Sequence, residues 1–118
     1  MRTLKKSSSK KRTKLAAPPP TYQRFVEQYP KLGEAWDLVH EASTEGPLTE
    51  RERLLVKLAV GAGALREGAV SSAGRKARAG GVSEEEIAQV IALAASVLGF
   101  PATVAVYSWV QPAPQKKR

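Results

Sequence analysis

Apolar residues recur every third or fourth position along most of the chain, with charged residues between them. In residues 30–42 this pattern predicts an amphipathic helix that buries one stripe. The stripe consists of Leu32, Ala35, Trp36, Val39 and Ala42. Pro30 suits the first position of this helix, and Gly46-Pro47 interrupts it. A shorter helix is predicted over residues 22–28, with Phe25 and Val26 turned inward.

Two capping boxes divide the middle of the chain. Thr49 and Glu52 form the first, which predicts a third helix reaching Gly63 or Leu65. Its predicted apolar face is Leu54, Leu55, Leu58, Ala59 and Ala62. Ser83 and Glu86 form the second capping box and predict the start of a fifth helix.

The fourth helix, between these boxes, is built from small residues. Ala69, Val70, Ala73 and Ala77 share one side of it. Gly80-Gly81 then supplies the left-handed residue that ends a helix without a side-chain clash. Small side chains fill little space themselves, but they let neighbouring backbones approach closely.

Residues 87–98 are apolar on almost every side, which predicts a helix buried all round. In a domain this small, burial on every side implies a partner subunit. Residues 102–110 are rich in Val, Tyr and Trp and fit a strand by propensity. A helix is preferred, because Pro101 suits a first helical turn and no second strand is present to pair with it. The sequence therefore predicts an all-α, oligomeric domain of about six helices.

Charge is concentrated at the two ends of the 118-residue chain. The formal net charge is +8, but residues 1–14 alone carry seven Lys or Arg and residues 116–118 carry three. We expect residues 1–20 to be a disordered basic arm with a proline spacer, 21–111 a helical domain, and 112–118 a basic tail. The arm is either a solvated tail or a weak contact for an acidic partner such as nucleic acid. It has no aromatic residue on which a base could stack.

The chain contains no cysteine, which excludes disulfides, thiolate metal ligands and dithiol redox chemistry. No apolar run approaches the roughly 20 residues that cross a bilayer, so no membrane partner is expected. The basic N-terminal residues have no apolar segment behind them, unlike a secretory signal. We therefore expect a cytoplasmic protein.

Seven short segments occur in an order and spacing typical of one family. They are Tyr-Pro-Lys-Leu at 29–32, Ala-Trp at 35–36, Gly-Pro-Leu-Thr at 46–49, the apolar helix 54–60, Glu-Gly-Ala-Val at 67–70, Ala-Arg-Ala-Gly-Gly-Val-Ser-Glu-Glu-Glu-Ile at 77–87, and Leu-Gly-Phe-Pro-Ala at 98–102. On these segments, covering about residues 22–110, the chain resembles the carboxymuconolactone decarboxylase family, which shares its fold with alkylhydroperoxidase-D-like proteins. The resemblance implies subunits that associate into homo-oligomers, from dimers to hexamers. It also implies a small-molecule decarboxylase or a peroxidase-linked antioxidant, and we expect no cofactor.

The reactive groups that the resemblance implies are missing. The alkylhydroperoxidase-D-like branch has a Cys-x-x-Cys pair followed four residues later by a His, and those positions here are Arg66, Ala69 and Ala73. The decarboxylase-like branch has a His where this chain has Ala73. Alanine cannot transfer a proton or reduce a peroxide, so cysteine-dependent peroxidase activity is excluded.

Glu67 is the remaining candidate for catalysis, at the start of the fourth helix. It either stabilises the positive end of the helix dipole or acts as a general base. Arg66 and Arg75, with Lys76 and Arg78 nearby in sequence, either bind a carboxylated substrate or form a solvated face. Two hypotheses follow: a decarboxylase-like enzyme that uses Glu67 and an arginine, or a catalytically inactive oligomeric scaffold whose basic arm binds an acidic partner.

Other polar residues are weaker candidates. Ser71 and Ser72 are expected to be small packing residues, because no base lies within helical reach of either. His40 is the single histidine and is expected at the surface or an interface. One histidine without cysteine makes no transition-metal site.

Overall fold

The computed structural model describes residues 20–112, which form six helices and no strand. The helices are α1 (Pro20–Gln28), α2 (Pro30–Ala42), α3 (Glu50–Gly63), α4 (Glu67–Ala79), α5 (Glu84–Leu98) and α6 (Phe100–Val110). The all-α prediction of about six helices is confirmed, and the strand alternative for 102–110 is wrong. The predicted basic arm and tail lie almost entirely outside the described residues, although Pro20 belongs to α1. Among residues 20–112, no helix is long and apolar enough to span a bilayer.

The described chain falls into two compact units, residues 20–50 and 51–112. In the first unit, α1 and α2 follow each other directly across Tyr29 and pack where Val26 meets Gly33. A Cβ atom on Gly33 would lie 3.2 Å from the Val26 Cβ. We call these two helices the α1–α2 hairpin.

The apolar stripe of the α1–α2 hairpin is exposed, which corrects the expectation that it is buried. Phe25, Leu32, Trp36 and Val39 are each about half exposed, and no residue of either helix is fully buried. Two short helices offer each other too little surface for a core. The aromatic rings instead contact near neighbours along the chain: Phe25 packs on Tyr29 and Trp36 packs edge-on against His40.

The second unit holds the hydrophobic core, in which α6 packs against both α4 and α5. The core consists of Leu58, Ala62, Val70, Ala73, Ala77, Val82, Ile87, Ile91, Val106 and Val110. Most of the predicted faces of α3 and α4 are therefore inside. Ala59 and Ala69 are exceptions and lie at the surface.

The turn from α4 to α5 forms as the glycine pair and the capping box predict. Gly81 has φ +95°, and the N–H groups of Gly81 and Val82 donate to the carbonyls of Arg78 and Ala77. This is the Schellman arrangement, with Val82 buried beside it. The Ser83 Oγ accepts from the Glu86 N–H at 3.0 Å, and Glu86 Oε1 accepts from the Ser83 N–H at 2.9 Å.

Helix α5 is buried on one side only in the single chain. Ile87 and Ile91 face the core, whereas Leu93 is 67% and Val97 81% exposed. The expectation of burial all round is therefore not met within one chain. A water-facing apolar surface of this kind is typical of a contact surface.

Candidate functional site

The candidate catalytic residues lie at the N-terminus of α4. Arg66 is the extended residue that precedes the helix, and Glu67 is its first residue. The Arg66 N–H donates to the Gly61 carbonyl, and its own carbonyl accepts from the Val70 N–H. The structure therefore places Arg66 and Glu67 side by side, both exposed to solvent.

Arg75 lies at the other end of the same helix. Eight residues separate it from Glu67, which corresponds to about 12 Å along the axis and about 80° around it. Arg75 is also exposed. The predicted acid–base residue and this predicted substrate-binding arginine are therefore not brought to one point.

The two positions that the family resemblance marks as reactive differ in their surroundings. Ala69 is exposed and faces Gly61, where a Cβ would lie 3.4 Å from its own. Ala73 is buried and belongs to the hydrophobic core. A larger side chain at residue 73 would have to displace core atoms, so this position serves packing in the present chain.

The polar side chains of α4 that face α6 bind its C-terminal carbonyls. The Ser71 Oγ donates to the Trp109 carbonyl at 3.0 Å, and the Arg78 guanidinium donates to the Val110 carbonyl at 2.8 Å. Because the last carbonyls of a helix have no partner inside it, these contacts satisfy the end of α6. Ser71 is thus a packing residue, as predicted.

Arg78 also joins α4 to the start of α5. Its guanidinium forms an ion pair with Glu84 and donates to Glu84 Oε1 at 3.0 Å. The hydrogen bond to Arg78 holds the pKa of the Glu84 carboxyl below its usual range. Arg78 therefore makes structural contacts and is not part of the predicted anion-binding patch. The spacing of the sequence did not reveal this structural role.

A positive cluster remains around Lys76. Partial burial, followed by the neighbouring charges of Lys57 and Arg75, lowers the pKa of Lys76 from its usual value. Because these positive charges repel one another, a bound anion would stabilise the charged form of Lys76. The cluster lies on the surface of α3 and α4, toward the opposite end of α4 from Glu67.

One concave feature of this unit is an apolar groove between α3 and α5, of about 580 Å³. Its lining consists of Leu55, Val56, Ala59, Gly63, Glu86, Gln89, Val90, Leu93, Ala94, Val97 and Leu98. We call it the α3–α5 groove. Neither Glu67 nor Arg66 nor Arg75 lines it, so the groove and the candidate catalytic residues are separate features.

Glu86 is the charged residue of the groove lining and is held in place from two sides. It belongs to the capping box and forms an ion pair with Arg51 of α3. The backbone hydrogen bond from Ser83, with further help from Arg51, lowers the pKa of Glu86 despite an opposing desolvation effect. The groove therefore has one charged residue engaged in structure and a wall of aliphatic residues.

The described residues contain no group of three His, Asp or Glu side chains placed to hold a metal ion. His40 contacts the Trp36 ring and is half-buried.

With this fold and these helix positions established, comparison with known proteins defines the class. Residues 30–112 match the carboxymuconolactone decarboxylase family, and the chain belongs to that family. The fold is also similar to the crystal structure of an apo carboxymuconolactone decarboxylase family protein from Legionella pneumophila. The TM-score is 0.69 at 16% identity, over 76% of this chain and 81% of that one. No curated protein matches the chain.

Proposed function

We propose that this chain is a carboxymuconolactone decarboxylase family protein without redox activity, which serves as an oligomeric scaffold. The observation that carries the proposal is the burial of Ala73 in the core, at the position where the family resemblance implies a histidine. The absence of any cysteine removes the thiolate that reduces a peroxide. The chain thus keeps the helical fold of the family and lacks the cysteine and histidine side chains to which the resemblance assigns the family's chemistry.

The scaffold role is supported by the apolar surface of the helical domain. Leu93 and Val97 on α5, and Phe100 at the start of α6, are each more than 60% exposed. An apolar surface of this extent is costly in water and is typical of a protein contact. We therefore expect the purified chain to form a homo-oligomer.

In this proposal, the basic N-terminal residues bind an acidic partner. Seven Lys or Arg residues in residues 1–14, with no acidic residue among them, suit the phosphates of a nucleic acid. The contact would be weak and largely independent of base sequence, because phosphate contacts carry no sequence information directly.

The proposal is tested by assaying the purified protein for both activities of the family. Peroxide consumption in the presence of a thiol reductant, and release of CO₂ from a carboxylated lactone, should stay at the rate of a buffer control. Light scattering after size exclusion should at the same time report a mass of at least two chains. Turnover of either substrate above the control, or a monomeric mass, would overturn the proposal.

A decarboxylase that uses Glu67 is the second candidate, because Glu67 and Arg66 are adjacent and exposed at the positive end of α4. In this candidate, Arg66 binds the carboxylate of a small substrate and Glu67 moves a proton, whereas Arg75 lies about 12 Å away along the helix and takes no part. The test is CO₂ release by Glu67→Gln against the wild type. Glu85→Gln is the matched control, since Glu85 is also exposed in the first turn of a helix. Activity that survives in the control and is lost in Glu67→Gln would establish this candidate.

A further inference from the structure

The α3–α5 groove and the stripe on α2 are two apolar surfaces that remain open in the single chain. The groove walls include Leu93 and Val97, whose side chains are largely exposed, and small residues such as Ala59, Gly63 and Ala94 leave room between them. On α2, Leu32, Trp36 and Val39 are each about half exposed. Exposed apolar surfaces of this kind are typical of contacts with another molecule.

The stripe on α2 has the spacing that a helix uses to bind in a groove. Leu32, Ala35, Trp36 and Val39 stand at positions i, i+3, i+4 and i+7, which places them along one face of the helix. Peptide helices bind apolar grooves through anchors with this spacing. The groove is walled by two helices and has an aliphatic lining, so it suits such a face.

The charges of the two units also complement each other. Residues 20–50 carry six acidic and two basic residues, a net of −4, whereas residues 51–112 carry five acidic and seven basic residues, a net of +2. Opposite net charges favour the encounter between copies and disfavour the pairing of like units.

We propose that the α3–α5 groove binds helix α2 from the α1–α2 hairpin of a second copy of this chain. The inference rests on the oligomeric scaffold proposed above and names the surfaces that build it. The contact joins two different patches, so it closes either as a reciprocal pair or as a ring. A reciprocal pair buries two groove–helix contacts and thereby covers the open apolar surface of both copies.

The absence of native cysteine allows a direct test by cross-linking. Val39→Cys places one thiol on the α2 stripe, and Val97→Cys places one in the groove, where Val97 is 81% exposed. The two variants are co-expressed, one with a tag that changes its size, and oxidised. Val104→Cys on α6 replaces Val97→Cys in the control, since Val104 is an exposed valine outside the groove lining.

A mixed disulfide between the Val39→Cys and Val97→Cys copies, absent from the Val104→Cys control, is the expected result. Equal cross-linking in the control would overturn the proposal, as would an intramolecular disulfide in a monomeric Val39→Cys/Val97→Cys double variant. An oligomer without the mixed disulfide would overturn this docking mode and leave the scaffold proposal intact. A monomer would overturn both.

A second measurement does not depend on disulfide geometry. Val97→Asp should lower the mass of the oligomer at least twofold, because it places a charge in the groove beside Glu86 and against the acidic hairpin. Val104→Asp should leave the mass unchanged. Circular dichroism checks that both variants keep their helices, and an unchanged mass for folded Val97→Asp would contradict the proposal.

Discussion

Ala73 is the residue at which the sequence resemblance and the three-dimensional structure can be compared most directly. The resemblance implies that a reactive side chain stands there in other family members, and the structure shows an alanine buried in the core. The neighbouring reactive position, Ala69, is exposed. Of the two positions, only Ala69 therefore offers space for a larger side chain.

This difference predicts that two histidine substitutions have unequal costs in stability. Ala73→His should lower the free energy of unfolding by about 1–3 kcal/mol, because extra atoms in a packed core force neighbouring side chains to move. Ala69→His, its control on the same helix, should change it by about 0.5 kcal/mol or less. Urea denaturation followed by circular dichroism measures both. Equal costs at the two positions would show that Ala73 is not part of a packed core.

Gly74 is the residue that lets α6 approach α4. A Cβ atom there would lie 2.8 Å from the Val110 Cγ2 and 3.3 Å from the Arg78 guanidinium. Gly74→Ala should therefore destabilise the protein by about 1–3 kcal/mol, even though alanine favours a helix by about 1 kcal/mol. Gly68→Ala on the same helix meets no atom within 4 Å and should be neutral or stabilising. A stabilised Gly74→Ala, measured by thermal denaturation, would contradict the close approach.

The residues that the sequence identified correctly are those whose role is local. Ser83, Glu86 and Gly81 act within one turn of the chain, so their spacing is sufficient evidence. Arg78 acts through the Val110 carbonyl, 32 residues away, and no local pattern encodes that contact. The two-sided role of Arg78 could be found only once α6 was placed against α4.

At the scale of elements, the ends of α3 and α4 use the same backbone turn with different residues. At the end of α4, Gly81 takes the left-handed conformation; at the end of α3, Leu65 takes it, with φ +56°. The N–H groups of Leu65 and Arg66 donate to the carbonyls of Ala62 and Gly61, as in the turn after α4. A leucine in this conformation costs about 1–2 kcal/mol of backbone strain.

We therefore expect Leu65→Gly and Gly81→Ala to change stability in opposite directions. Leu65→Gly relieves strain but adds freedom to the unfolded chain, for a net gain of up to about 1 kcal/mol. Gly81→Ala introduces strain and should cost about 1 kcal/mol or more. Differential scanning calorimetry of the two variants checks the pair. A loss of stability in Leu65→Gly would mean that the exposed leucine contributes more by packing than it costs in strain.

The start of α5 should respond to pH through Glu86. Hydrogen bonding to Ser83 and the charge of Arg51 lower the folded pKa of Glu86 below its usual 4.5. A carboxyl with a lowered folded pKa stabilises the fold above its unfolded pKa, and the contribution is lost as the pH falls through the folded pKa. Glu86→Gln should therefore be less stable than the wild type at neutral pH and equal to it in acid.

Urea titrations at neutral and acidic pH measure this difference. Glu85→Gln, which removes a first-turn charge outside the capping box, should show a smaller change between the two conditions. A stability difference for Glu86→Gln that persists in acid would mean that the carboxylate charge is not the source of the stabilisation.

At the scale of the whole molecule, the six helices and their order were predictable, because periodicity and caps are local signals. The exposure of the α2 stripe was not. An amphipathic pattern shows that one face avoids water, but it does not show whether the cover comes from the same chain or from another. The same ambiguity affects α5, whose all-round apolar pattern led to the prediction of a partner subunit and whose outer face is open in the single chain.

We expect the basic N-terminal residues to bind nucleic acid and the helical domain to form the oligomer, each independently of the other. Deletion of residues 1–17 removes all seven basic residues of the arm and none of the apolar surface of α2 or α5. We expect the oligomer to keep the same number of chains after this deletion, as measured by light scattering. We expect binding of a short nucleic-acid duplex, measured by fluorescence anisotropy, to be lost.

Two measurements test whether binding depends on the charge of the arm or on its length: the salt dependence of the affinity, and binding by a variant whose arm is uncharged. If the seven basic residues each release one phosphate counterion, log K should fall with log salt with a slope of roughly −6, and fewer contacts give a shallower slope. Replacing the seven by Gln keeps the length and should abolish binding as fully as the deletion does. Binding that survives this replacement would place the nucleic-acid contact outside the arm, and the basic residues 116–118 and the Lys57–Arg75–Lys76 cluster would be the next to test. A changed oligomer mass after the deletion would instead show that the arm takes part in assembly, and the two parts of the molecule would not be independent.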